Sequence, residues 1–279
     1  MNRFVLGSML SLLFIVSATP ACGQEYLWSN AYDTAMTITS RISPPEGYTR
    51  QPSATGSFGN WLRGLPLKAE GAGVYLYDGR KKPRQDVHAA VIDMDIGAKN
   101  LQQCADAVIR LRAEYWYAQN EYDRMSFNFT SGDTASFRKW IMGHRPSVNG
   151  SRVRWDKVAP IDSSYQVFRS YLETVFMYAG SYSLSKQLRA VAEPHGIEIG
   201  DVFIEGGFPG HAVMVVDMAV HEESGKKVML LAQSYMPAQD VHVLVNPKDS
   251  LLSPWYACDF GETLVTPEWT FGWNHLMRF

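Results

Sequence analysis

Residues 200–233 read GDVFIEGGFPGHAVMVVDMAVHEESGKKVMLLAQ. Two apolar, β-branched runs, Asp201–Glu205 and His211–Val220, flank the tight turn Gly206-Gly207-Phe208-Pro209-Gly210. Glu222–Gly225 turns the chain back, and Lys227–Gln233 supplies a third run. Short strands separated by Gly-rich turns form an antiparallel meander. Val241–Val245 adds one more strand.

Upstream of this stretch the apolar period lengthens to three and four residues. Asn100 reads as an N-cap and Gln103 as its capping-box partner. Leu101, Cys104, Val108, Leu111 and Tyr115 then form one stripe of a helix running to about Ala118. Three further helices are expected over Thr134–Met142, Ser164–Tyr178 and Leu184–Ala192, the last stopping before Pro194. Ser57–Arg63 reads as a short helix within an otherwise extended N-terminal arm. Gly73–Tyr77 ends in the turn signal Asp78-Gly79, with Val87–Ile96 as the returning strand. Helices first and an antiparallel sheet afterwards make an α+β fold.

The N-terminus has a different composition. Arg3, the apolar run Phe4–Val16 and the small residues Ser17–Gly23 read as a secretory signal. Residues 1–23 are therefore expected to be a signal peptide and residues 24–279 one α+β domain. No linker-like shift in composition and no internal repeat divides the latter. Cys22 follows Ala21 at the end of the signal, where a lipoprotein carries its acylated cysteine, although the usual leucine three places upstream is missing. The expected location is the periplasm, or the membrane surface if Cys22 is lipidated. The formal net charge of −2 and the lack of a basic, aromatic-interleaved cluster argue against a nucleic-acid partner. The 8 Trp and 14 Tyr suit a packed core and a peptide- or carbohydrate-binding cleft. Oligomeric state is not legible.

Beyond Cys22 the chain has two cysteines, Cys104 and Cys258. In an oxidising compartment they form either a disulfide or two buried thiols. A third reading makes Cys104 a nucleophile. A thiol at a helix start is favoured as thiolate by unpaired amides and the macrodipole. His211 opens a strand after a Gly-rich turn, where an imidazole can serve as a base. Asp217 lies six residues along the same strand, roughly 20 Å away at about 3.3 Å per residue, so it cannot orient that ring. Gln233 on the neighbouring strand can, because His211 should lie level with about Met236, and Gln239 is the second choice. Gln102 and Gln103 flank the thiol and could help hold an oxyanion. Each residue also has a plain structural role open to it: Cys104 on an apolar stripe, His211 packed on a turn, Gln233 at a strand end. His195, His221, His242 and His275 lack ligand spacing, and no phosphate loop or dinucleotide motif occurs, so neither a metal nor a cofactor is expected.

The stretches NLQQCADAVIRLRAEYWY, YAGSYSLSKQL, GDVFIEGGFPGHAVMVVDMA, LLAQSYMPAQD and TPEWTF resemble the exported proteins of domain of unknown function 4846, common in Bacteroidetes. The resemblance covers nearly all of residues 24–279 and implies a Gram-negative envelope without supplying an activity. The hairpin GDVFI…GHAVMVVD is also similar to that of NlpC-type cell-wall peptidases and cysteine/histidine-dependent amidohydrolases, which are papain-like. Carried over, that resemblance makes Cys104 the nucleophile and His211 the base of a peptidase or amidase acting on peptidoglycan peptides. Gln103 departs from the Asp or Asn those families place before the cysteine, and the Cys-to-His spacing is longer. A permuted arrangement would use Cys258. The competing expectation is a non-catalytic envelope binding or scaffold protein of the same shape.

Overall fold

A computed structural model describes residues 26–29, 31–192 and 196–279. The signal-peptide and Cys22 readings lie outside the described residues, as does His195.

In chain order, helix α1 (Ile38–Arg41), strand β1 (Tyr48–Arg50), α2 (Phe58–Arg63) and β2 (His88–Val91) precede the long helix α3 (Cys104–Ala118). The hairpin β3 (Ser126–Asn128) and β4 (Thr134–Ser136), helix α4 (Phe137–Ile141) and the hairpin β5 (His144–Asn149) and β6 (Arg152–Lys157) follow. Helices α5 (Tyr165–Tyr178) and α6 (Ser181–Gln187) then lead to β7 (Arg189–Ala190). The meander is β8 (Val202–Glu205), β9 (His211–His221), β10 (Lys227–Gln233) and β11 (His242–Leu244). The chain continues through β12 (Tyr256–Ala257), β13 (Thr263–Val265), β14 (Thr270–Gly272) and β15 (Leu276–Arg278). Among the described residues no helix is long and apolar enough to cross a membrane.

The main sheet has the order β2-β11-β10-β9-β8-β15-β7, with β1 beside β9 and β12 beside β10. All its pairings are antiparallel, so the α+β class holds. Side chains alternate across β9 because a strand repeats every two residues. Ala212, Met214 and Val216 enter the core that includes Ala105, Val108 and Leu111 of α3. Val213 and Val215 enter a second core with Leu264, Phe271 and Leu276 from the C-terminal segment. Each large apolar side chain so buried contributes about 1.5–3 kcal/mol. Exposed pairs such as Arg138–Asp123 contribute about 0–1 kcal/mol, so the two cores rather than the surface ion pairs hold the sheet.

Several expectations are corrected. Helix α3 begins at Cys104 with Gln103 as its N-cap, and Asp106 completes the box by accepting from the Gln103 amide at 3.0 Å. Asn100 is drawn away, because its Oδ1 accepts from the Ala238 amide at 2.8 Å. The strand at residues 88–91 pairs with β11. It does not return onto residues 73–77, where Tyr75 and Leu76 instead bridge Lys81 and Gln239. Thr134–Ser136 is strand before α4, and the expected helix Leu184–Ala192 is the end of α6 followed by β7. The hairpin β5/β6 was not anticipated, since its charged residues and Pro146 mask the alternation.

Candidate functional site

The site lies where β9 and β10 part. Their ladder ends at Met214↔Ala232, which sets His211 opposite Tyr235, one residue from the expected level. Alternation puts His211 and Gln233 on the face covered by the C-terminal segment. The His211 ring packs against Tyr235, Trp269 and Phe271, with centroids 4.8, 5.3 and 6.0 Å away. Its Nε2 lies 2.8 Å from Gln233 Oε1. Its Nδ1 is buried and has no hydrogen-bond partner among the described residues. A buried polar atom left unpaired costs about 1–3 kcal/mol, and such an atom in a folded protein needs a reason.

Helix α3 delivers Cys104 to the same strand end from the other face. The thiol is 6% exposed. The backbone amides of Ala105 and of Ala212, the neighbour of His211, lie near enough to the sulfur to favour its ionised form. Burial nevertheless outweighs these amides and the helix end, and with the nearby Asp106 it pushes the thiol up to about 11. Burial lowers His211 to about 4, helped by the charge of Lys82 and opposed by the Gln233 bond. Thiol and imidazole are thus both neutral at pH 7. The expectation of a preformed thiolate at the helix start is corrected: desolvation of the buried sulfur wins.

Cys104 opens onto a cleft of about 320 Å³. It is lined by Asn100 and the start of α3, including Asp106, and by Gly180-Ser181 with the turn Gly207–Gly210. The turn packs too tightly for side chains. A Cβ on Gly210 would fall 2.5 Å from the Glu205 carbonyl oxygen and 2.7 Å from the Gly207 nitrogen. Phe208, 83% exposed, Met177, 53%, and Met236, 42%, form an apolar rim. Asp106 is buried, one of its oxygens has no hydrogen-bond partner among the described residues, and burial pushes its carboxyl up to about 8.

The remaining sequence candidates fall elsewhere. Gln102 Oε1 accepts from Arg110 Nη1 at 2.8 Å, so it is turned into the buried ion cluster of α3. Gln103 Nε2 donates to Asn100 Oδ1 at 3.2 Å. Gln239 accepts at its carbonyl from Ser234 Oγ, and its side chain is not the partner of His211. Asp217 pairs with Arg50 and Arg63. Cys104 and Cys258 are both free thiols. Cys258 follows β12 at the far end of β10, where Val228 pairs with Ala257, so the permuted arrangement with His211 is excluded by distance along the strands.

Three residues that sequence reasoning missed join the network behind Gln233. Its Nε2 donates to Glu268 Oε2 at 2.8 Å and lies 3.4 Å from His242 Nε2. Glu268 Oε1 is 2.7 Å from Lys82 Nζ. Glu268 stands inside the TPEWTF stretch, but nothing in the local pattern ties it to residues 35 positions and more away.

No curated protein and no solved structure matches the chain. The family model described as domain of unknown function (4846) matches residues 38–278, which include α3, the meander and the Glu268 segment, and the chain belongs to that family.

Proposed function

We propose that this protein is a papain-like cysteine hydrolase, a peptidase or amidase acting on peptidoglycan peptides or related envelope amides. Cys104 is the nucleophile, His211 the base and Gln233 the residue that orients the ring. The observation that carries this reading is the 2.8 Å contact between His211 Nε2 and Gln233 Oε1 beside a cleft lined by Cys104. It leaves Nδ1 without a hydrogen-bond partner among the described residues, and the next residue in the chain, Ala212, has its backbone amide near the sulfur.

With both groups neutral at rest, the chemistry is general-base catalysis. The Cys104 proton passes to His211 Nδ1 as the sulfur bonds the substrate carbonyl carbon. The imidazolium returns that proton to the leaving amine as the C–N bond breaks. Water, deprotonated by the same nitrogen, then hydrolyses the thioester. In this reading backbone amides at the start of α3 would receive the developing oxyanion. Export, with or without lipidation at Cys22, would bring the enzyme to its substrate.

The test is incubation of the mature protein with peptides released from peptidoglycan, followed by mass spectrometry of products and protein. Cleavage that disappears in Cys104→Ala supports the proposal. Absence of both cleavage and a Cys104 adduct with peptide electrophiles overturns it. The buried, protonated state of Cys104 favours a second reading, a non-catalytic envelope scaffold, and that negative result is what it expects.

A further inference from the structure

We propose that Glu268 is a positioning residue which, through Gln233, fixes the ring nitrogen on which His211 carries its proton. The use of this device rests on the hydrolase reading above, but its existence does not.

A glutamine amide can present either end to a neighbour, so its orientation needs a cause. Here two groups behind Gln233 supply one. Lys82, which is buried, and Glu268, which is partly buried, form an ion pair at 2.7 Å, in which Glu268 is the acceptor. On the other side, His242 Nδ1 is 2.8 Å from the Asp240 carbonyl oxygen. A carbonyl accepts, so His242 carries its proton on Nδ1 and turns a lone pair at Nε2 toward Gln233. Both neighbours of the Gln233 Nε2 position are therefore acceptors. A reversed amide would set Oε1 against a carboxylate oxygen at 2.8 Å and a ring lone pair at 3.4 Å. The amide is locked with Oε1 toward His211.

The lock propagates one step further. Gln233 Oε1 can only accept, so His211 must donate from Nε2. Its Nδ1 then holds the lone pair, and this is the nitrogen without a hydrogen-bond partner among the described residues. The chain Lys82, Glu268, Gln233, His211 thus converts an ion pair into a defined tautomer. His242 braces the amide from the side.

The experiment is long-range proton–nitrogen correlation spectroscopy on protein carrying ¹⁵N-histidine, with His211 assigned through His211→Asn. The wild type is expected to show His211 protonated on Nε2. In Glu268→Gln the Lys82 ammonium takes the new amide oxygen, which turns the NH₂ end toward Gln233, and His211 should shift to a mixture of both tautomers. Glu268→Asp keeps the charge beside Lys82 but withdraws it from Gln233, and covers the case in which the first variant fails to fold; the same shift is expected. Protonation on Nδ1 in the wild type overturns the proposal. So does a folded variant that retains the wild-type pattern. The readout needs no substrate. A tautomer shift without any peptide cleavage keeps this inference and rejects the hydrolase; cleavage with an unmoved tautomer does the reverse.

Discussion

Arg110 Nε donates to Glu114 Oε1 at 3.0 Å, one turn apart on the helix that begins at Cys104, and both side chains are buried. Tyr165 donates to the same carboxylate oxygen at 2.8 Å, and Asp95 and Gln102 take other nitrogens of Arg110. Removing one partner strands a buried charge, which costs about 3–5 kcal/mol. Arg110→Met should lower the free energy of unfolding by that order. Urea denaturation read by tryptophan fluorescence measures it, and a loss below about 1 kcal/mol would contradict the buried ion cluster as an anchor of α3.

Asp106 gives stability a pH dependence of known sign. Its carboxyl sits at about 8 in the fold against an ordinary value of 3.8. Between those values the unfolded chain has lost the proton and the folded chain keeps it, so stability falls as pH rises from 3.8 to about 8. Asp106→Asn cannot ionise and should not show this component. Relative to wild type, the variant should gain on the order of 3 kcal/mol in going from about pH 5 to about pH 8. Unfolding midpoints of the two proteins across that range decide the matter.

His211 should set the acid limb of catalysis. Only the neutral ring can take the thiol proton, and the ring protonates near 4. Peptide cleavage should therefore hold its rate down to pH values well under the ordinary histidine range and drop through about 4. An acid limb near 6.5, the ordinary value, would mean that the ring is less desolvated in solution. Gln233→Ala should lower the rate by about 100-fold by freeing the ring, a loss of the size seen when a base is misplaced.

The apolar rim makes a separate prediction. Phe208, Met177 and Met236 border the cleft that Cys104 lines. Phe208→Ser should raise KM for substrates with a bulky apolar residue near the scissile bond and leave kcat nearly unchanged, since it removes binding that is equal in ground and transition states. Steady-state kinetics on two peptides differing at that residue separate the two parameters.

Local patterning made part of this molecule legible. The meander showed through because β8, β9 and β10 follow one another with Gly-rich or charged turns between them. The helices expected over Ser57–Arg63 and Ser164–Tyr178 are α2 and α5, and in the fold Ser57 and Ser164 are their N-caps, each accepting a backbone amide. The start of α3 was misplaced by a long-range event: the Ala238 amide claims Asn100, and the cap passes to Gln103. Pairing of β2 with β11 and of β15 with β8 has no local signal, because short strands find partners through the whole sheet. In the site, Cys104, His211 and Gln233 could be named from a helix start, a strand start and an adjacent strand. Lys82, His242 and Glu268 could not, since nothing in their neighbourhoods records that folding gathers them around one amide.

The strand order carries a kinetic consequence. β1 at residues 48–50 pairs with residues 219–221 of β9, and β2 at 88–91 with β11 at 242–244. Each pairing closes a long loop before any contact rewards it, and that entropy must be met early in folding. Until both distant segments arrive, the strand edges they cover stand open to other chains. Refolding at micromolar concentration should therefore be slow and yield-limited, with recovery rising as the protein is diluted.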